Sequence, residues 1–311
     1  MRRIALSVGD PNGIGPEIVL KALEALVGED RLRITVFGPQ DVLRRTAKAI
    51  RLERTLFGVE LRAVGELPAA AAVPGQVNAQ AGASAVASAT AAIKACQAGE
   101  FDAVVAGPHN ETAIHQAGIK FSGYPSLLAR VCGQPEDSVF LMLVGGGLRI
   151  VHVTLHEAVT TAIARITPEL VVAATLAGIR ACRNLGVPGP SIALFGINPH
   201  ASEGGLFGDD DVLRVLPACK RLRDIGIEVS GPTGADTLLA DRKHDLYVAM
   251  LHDQGHIPVK LLAPQAASAI SIGAEVLLAS TGHGSAMDIA GKGIARPDAL
   301  LRSLRLVSAI A

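Results

Sequence analysis

Three histidines in this sequence stand where short apolar runs stop. His156 closes LRIVHVTLH, His200 follows SIALFGINP, and His252 follows DLYVAML. In an open α/β sheet, ligands collect outside the carboxyl ends of the strands. Neutral imidazoles converging from three strand ends form an open site for a divalent cation, with positions left for substrate oxygens. Each histidine taken singly reads as well as an ordinary loop residue; their shared position favours the metal. His152 lies inside its run and reads as a packed core residue, whereas His256 in HDQGH reads as an extra ligand or a support for one. Asp253 directly follows His252 and is placed to orient it. Lys260, eight residues beyond His252, suits an acid/base role or the holding of a carboxylate. Asp236 in GPTGADTLL reads either as a site residue or as an acid at a helix start. His109 and His115, around a loop and helix start, face substrate or water.

Two glycine-rich segments add a second chemistry. GDPNGIGPEI (Gly9–Ile18) follows the first apolar run and enters a helix with Pro at its start, so its backbone either cradles an anion or makes a tight turn. It lacks the G-x-G-x-x-G spacing. GHGSAMDIAGKGIARP (Gly282–Pro297) has small residues beside His283 and Asp288, a loop suited to adenosine without a Rossmann motif.

Such residues need a frame. Runs over Arg3–Val8, Arg33–Phe37, Ala103–Ala106, Arg149–Leu155, Ser191–Ile197 and Asp245–Leu251 predict buried strands. Pro16–Leu26, Ser84–Ala98, Pro168–Leu185 and Asp211–Ile225 predict helices, with Ser84 as an N-cap. Strands alternating with helices predict an α/β fold with a largely parallel sheet. The 311 residues suffice for one large or two moderate domains, and Glu66–Gly75 reads as a surface connection. Basic and acidic residues both number 29 and aromatics are 3%, which gives no reason to expect nucleic acid or a membrane surface as partner. The apolar start breaks at Gly9-Asp10-Pro11, short of a signal peptide, and no run reaches the length of a membrane span. Cys96, Cys132, Cys182 and Cys219 are scattered, which fits inert thiols in a reducing cytoplasm.

GHGSAMDIAGKGIARP resembles the cofactor loop of the isopropylmalate and isocitrate dehydrogenases. With GDPNGIGPE, INPHASEGG and AMLHDQGHIPVK, it makes nearly the whole chain resemble the 4-hydroxythreonine-4-phosphate dehydrogenase family. The resemblance implies an isocitrate/isopropylmalate dehydrogenase-like fold, with two α/β domains flanking a cleft. Residues 1–125 with 280–311 are expected to form the first, and 126–279 the second, which carries a dimer interface. It implies a homodimer with a shared site, and metal ligands at His156, His200 and His252, one of them supplied across the dimer. The family's site aspartate and substrate-contacting lysine fall on Asp236 and Lys260, and the general base is left open between them. His109, Asn110 and Tyr124 are expected to bind substrate; Gly282, His283, Gly284, Ser285, Asp288 and Gly291 are expected to bind NAD. Three imidazoles suit zinc, iron, cobalt or manganese.

Departures from the family pattern bear on substrate. Tyr124-Pro125 stands in place of the family's His-Thr, Ala269 in place of its Asn, and Leu278 in place of its Arg. Losing an arginine fork removes the best bidentate phosphate partner, so a flatter and more apolar substrate is expected. FSGYPSLLA and LRIVHVTLHE resemble one branch, the terephthalate cis-dihydrodiol dehydrogenases. That branch implies NAD-dependent conversion of 1,2-dihydroxy-3,5-cyclohexadiene-1,4-dicarboxylate to protocatechuate, carbon dioxide and NADH. The rival expectations are oxidation of 4-hydroxythreonine 4-phosphate in pyridoxal phosphate synthesis, acyl transfer to phosphate on a related fold, and ligand binding without turnover.

Overall fold

The computed structural model describes residues 2–26, 33–264 and 266–308. The chain divides into two compact units, one of residues 1–133 with 275–311 and one of 134–274. In chain order the strands are β1 Ile4–Ser7, β2 Ile34–Gly38, β3 Glu60–Ala63, β4 Ala103–Ala106, β5 Phe140–Gly145 and β6 Leu148–His152; then β7 Ile192–Phe195, β8 Ser230–Thr233, β9 Leu246–Ala249, β10 Ser268–Ile272 and β11 Leu278–Thr281.

In the first unit the strands run β3-β2-β1-β4-β11, all parallel. Every residue of β1, β2 and β4 is buried, as a parallel sheet covered on both faces requires. Helix Ala79–Gln97 begins earlier than expected. Asn78 is its cap, with its side-chain oxygen accepting from the Ala81 N–H at 2.9 Å. Ser84 lies inside the helix, where its hydroxyl donates to the Gly65 carbonyl. Alanines tolerated in any helix position hid the true start.

The second unit is mixed. β6, β9, β7 and β8 are parallel, but β5 is antiparallel to both β6 and β10. The sharp hairpin between β5 and β6 turns at Gly146 and Gly147, both at positive φ. Helix Pro168–Asn184 forms where predicted, with the Thr167 hydroxyl accepting from Leu170 N–H. The predicted helix from Asp211 starts as a π-wound turn, Asp211–Val215, before α-helix Leu216–Asp224. Pro217 has no N–H to continue the ordinary ladder, so the winding changes beside it. His252 does not lie in a loop after β9: it opens a helix, His252–Leu262.

Candidate active site

All three predicted metal ligands lie in the second unit. His156 follows β6, and His252 starts the helix after β9, the strand parallel to β6. Their rings meet with centroids 5.4 Å apart, tilted by 49°. Two imidazoles bound to one cation through nitrogens at about 2.1 Å, at a near-tetrahedral angle, have centroids roughly 5 Å apart. The pair therefore fits a shared cation. Asp253 Oδ1 holds His252 Nδ1 at 2.7 Å, which leaves Nε2 as the lone pair to offer. Both rings line a cavity of about 330 Å³, together with Thr154, Glu157 and Gln254.

Behind His252 lies a second pair. His152 is fully buried and its Nδ1 is 3.3 Å from the Leu141 carbonyl, to which it donates. Its Nε2 is 3.1 Å from His256 Nδ1, which also lies 3.1 Å from the His252 carbonyl. With His152 Nε2 an acceptor, His256 must carry its proton on Nδ1. Burial pushes both rings below the ordinary imidazole range, so they stay neutral. This approach needs Gly255: a Cβ there would sit 2.2 Å from His152 Nε2. His256 stacks on His252 at 3.6 Å and 12°. That spacing is too close for two ligands of one cation, so His256 backs His252 and is not an extra ligand.

His200 is held differently. Residues His200, Ala201, Ser202, Glu203 and Gly204 have φ of 52, 51, 65, 43 and 70°, a left-handed turn. Left-handed backbone costs L-residues about 1–2 kcal/mol each, so other contacts must impose it. The His200 ring lies 6.0 Å from that of Phe207. Within one chain, no group of three His, Cys, Asp or Glu among the described residues is placed to hold a metal. Thus one chain brings His156 and His252 together without His200.

Lys260 is exposed on the same helix as His252, two turns on, with His256 between them. Asp236 is exposed in the first turn of helix Ala235–Asp241, which packs through Ala235, Leu238 and Leu239 onto the cluster containing Tyr247 and Val259. Ala269 is in that cluster too.

The remaining predicted residues belong to the first unit. Tyr124 is buried and its hydroxyl donates to the Gly107 carbonyl at 2.6 Å, so it offers a ring and not a free hydroxyl. Its ring meets His109 edge-on at 4.8 Å, and His109 meets Phe121 at 4.7 Å. Asn110 caps helix Glu111–Gln116, and its amide donates to Ser285 Oγ at 3.2 Å. Leu278 is buried in β11. In the predicted dinucleotide loop Ser285 is buried and its carbonyl accepts from Ile14 N–H, while Gly282 and His283 are half-buried and Gly284, Asp288 and Gly291 are exposed. A Cβ on Gly13 would lie 2.7 Å from Ser285, so the N-terminal glycine turn and this loop are built against each other.

Sequence reasoning missed three residues. Glu17, 2% exposed, accepts from the backbone N–H of Gly293 and Ala295 and from Lys21, which itself donates to the carbonyls of those two residues. Asp10 is fully buried; burial raises its carboxyl to about 6, and its Oδ2 has no partner. Asp211 is 1% exposed and binds the turn that carries His200. An acid inside an otherwise apolar helix start was the signal available for Glu17.

Residues 30–307 match the model of the pyridoxal phosphate biosynthetic protein PdxA. A 1,2-dihydroxy-3,5-cyclohexadiene-1,4-dicarboxylate dehydrogenase from Comamonas sp. is 60% identical over 308 residues, covering 99% of this chain and 98% of that protein. The crystal structure of a terephthalate 1,2-cis-dihydrodiol dehydrogenase from Burkholderia xenovorans LB400 is 46% identical, with TM-score 0.71 over 98% of this chain and 97% of that one. A β-decarboxylating dehydrogenase from Thermococcus kodakarensis, 18% identical with TM-score 0.53 over 99% of this chain and 82% of that one, shares the fold. With its family model matched across most of its length and its relatives dehydrogenases, this chain belongs to the PdxA family of oxidoreductases.

Proposed function

We propose that this enzyme is an NAD-dependent, metal-assisted dehydrogenase that oxidises and decarboxylates 1,2-dihydroxy-3,5-cyclohexadiene-1,4-dicarboxylate, a step of terephthalate degradation in aromatic catabolism. The reading is carried by the His156–His252 pair, spaced for one cation beside a cavity. The 60% identity of the Comamonas dehydrogenase supports the substrate. His156, His252 and His200 hold the divalent cation; zinc, iron, cobalt and manganese all suit such a donor set. The bound cation supplies Lewis-acid polarisation of the diol oxygens, and NAD supplies the hydride acceptor. Lys260 and Asp236 supply the proton acceptor and a partner for a substrate carboxylate. His109 and Tyr124 provide an aromatic wall without a phosphate-gripping fork, which suits a flat ring. Gly282, His283, Gly284, Ser285, Asp288 and Gly291 form the dinucleotide loop. The balance is diol dicarboxylate plus NAD giving protocatechuate, carbon dioxide and NADH.

The third ligand comes from a second copy of the chain. The second unit exposes Ile257, Leu261 and Leu262 on the His252 helix, and Leu206, Phe207, Leu213 and Leu216 beyond the His200 turn. Apolar faces of this kind mark association surfaces. A homodimer that covers them places its His200 at the other copy's His156–His252 pair. A cytoplasmic setting agrees with four free cysteines. Among the described residues no single helix is long and apolar enough to cross a membrane.

The test compares NADH formation from the dihydrodiol and from 4-hydroxythreonine 4-phosphate, with and without chelator. Turnover of the diol alone, abolished by chelator, is expected. Preference for the phosphorylated substrate would assign the enzyme to pyridoxal phosphate synthesis, the activity that the family's description names.

A further inference from the structure

We propose that Asp211 is a positioning residue that sets the orientation of His200; this rests on the reading of His200 as a metal ligand. The Asp211 carboxylate is 1% exposed and grips the turn on both sides of His200. Oδ1 accepts from the Ile197 N–H at 2.7 Å. Oδ2 accepts from the Asn198 N–H at 3.0 Å and from the Ser202 hydroxyl at 2.7 Å. Asn198 adds a bond of its own, donating its amide to Ser202 Oγ at 3.2 Å. One carboxylate thus ties the residues before His200 to the residue after Ala201. The left-handed run begins at His200, between these anchor points. The turn is also closed against β7, because Gly196 leaves room for Ala201: a Cβ on Gly196 would lie 2.7 Å from it.

The donors identify the role. Two are backbone N–H groups and one is a hydroxyl, all fixed by the turn's path, and both carboxylate oxygens are engaged with it. An acid that acted on the cation through charge alone would need no such pairing. Asp211 lies at the start of the π-wound turn, so the local winding brings its side chain back under the strand end. An imidazole on a turn without this anchor samples many directions, and a cation meets it in fewer encounters.

The measurement is cobalt(II) titration of the metal-free, full-length protein, read by the visible absorption of bound cobalt, with thermal unfolding of the metal-free form recorded beside it. Wild type is expected to bind cobalt, and His200→Ala to lose that binding and its spectrum. Asp211→Asn keeps the size of the side chain but turns one acceptor into a donor that faces donors. It is expected to bind cobalt about tenfold to a hundredfold more weakly with an altered spectrum. Asp211→Glu keeps the charge and moves it; it is expected to lose affinity as well, whereas a purely electrostatic role would leave it unchanged and overturn the proposal. Ser202→Ala removes the hydroxyl's bonds to Asp211 and Asn198 and keeps both backbone donors to Asp211; it is expected to weaken cobalt binding threefold to tenfold, which keeps the test decisive if Asp211→Asn does not fold. Wild-type cobalt binding and spectrum in Asp211→Asn would overturn the positioning role while leaving His200 a ligand. Wild-type binding in His200→Ala would instead remove the metal reading beneath it.

Discussion

The loop proposed to bind the dinucleotide and the histidines proposed to bind the metal are built on opposite plans. In the first unit, one chain finishes the job: Glu17 and Lys21 clamp Gly293 and Ala295, and Gly13 packs on Ser285. In the second unit, one chain brings two histidines together and holds the third on a strained turn beside exposed apolar residues. On the proposed reading, the loop would need no partner to bind its ligand, whereas a ligand set divided between two copies would make metal binding depend on association. The difference predicts that damage to the two regions separates into two phenotypes.

The largest effect is expected from His252→Ala, which removes a proposed metal ligand outright. Turnover should fall roughly a thousandfold or more, the several kcal/mol that Lewis-acid polarisation supplies. NAD affinity, read by fluorescence titration, should stay within about twofold if the regions are independent. Leu261→Arg comes next. A charge on this 76% exposed leucine should dissociate the proposed dimer, and sedimentation should then show monomers that have lost metal and turnover together but still bind NAD. Glu17→Ala strikes the other region. It leaves buried N–H groups without an acceptor, so the KM for NAD should rise about tenfold while metal content is kept.

The smallest effect concerns pH. The Asp10 carboxyl, raised from 3.8 to about 6, holds its proton more tightly in the folded protein than in the unfolded chain. Folding is therefore unopposed by this group below about pH 4, and its stability cost grows as pH rises through about 6. Asp10→Asn should match wild type near pH 4 and be more stable at pH 8, by at most about 3 kcal/mol at 1.4 kcal/mol per unit. Equal gains at both pH values, measured by denaturant unfolding, would show that the carboxyl does not carry this burden.

The parallel strands were legible because they leave a one-dimensional mark, short β-branched runs, and the meeting of His156 with His252 was signalled by a reactive side chain where each run stops. The antiparallel β5 and β10 were not, since strand direction leaves no trace in a buried apolar run such as FLMLVG. His252 was read as a ligand at the end of its strand, and that it opens a helix was not foreseen. Gly255 and Pro258 argue against a helix on propensity, and tertiary packing against His152 overrides them. The roles of Asp211 and Glu17 depend on backbone groups distant in sequence for Glu17 and on a left-handed turn for Asp211, and neither follows from residue spacing. Tyr124 was expected to bind substrate in a flatter and more apolar site, and with its hydroxyl committed to Gly107 it is the ring that it can offer.

The most direct measurement of a divided metal site mixes two inactive variants. His200→Ala and His252→Ala, each dead alone, are unfolded together, refolded with cation, and assayed for NADH formation from the dihydrodiol. If each site draws His200 from one copy and His156 with His252 from the other, half of the dimers contain one intact site, and about a quarter of wild-type activity should return. No recovery from a mixture shown to contain mixed dimers would contradict a site shared between two copies.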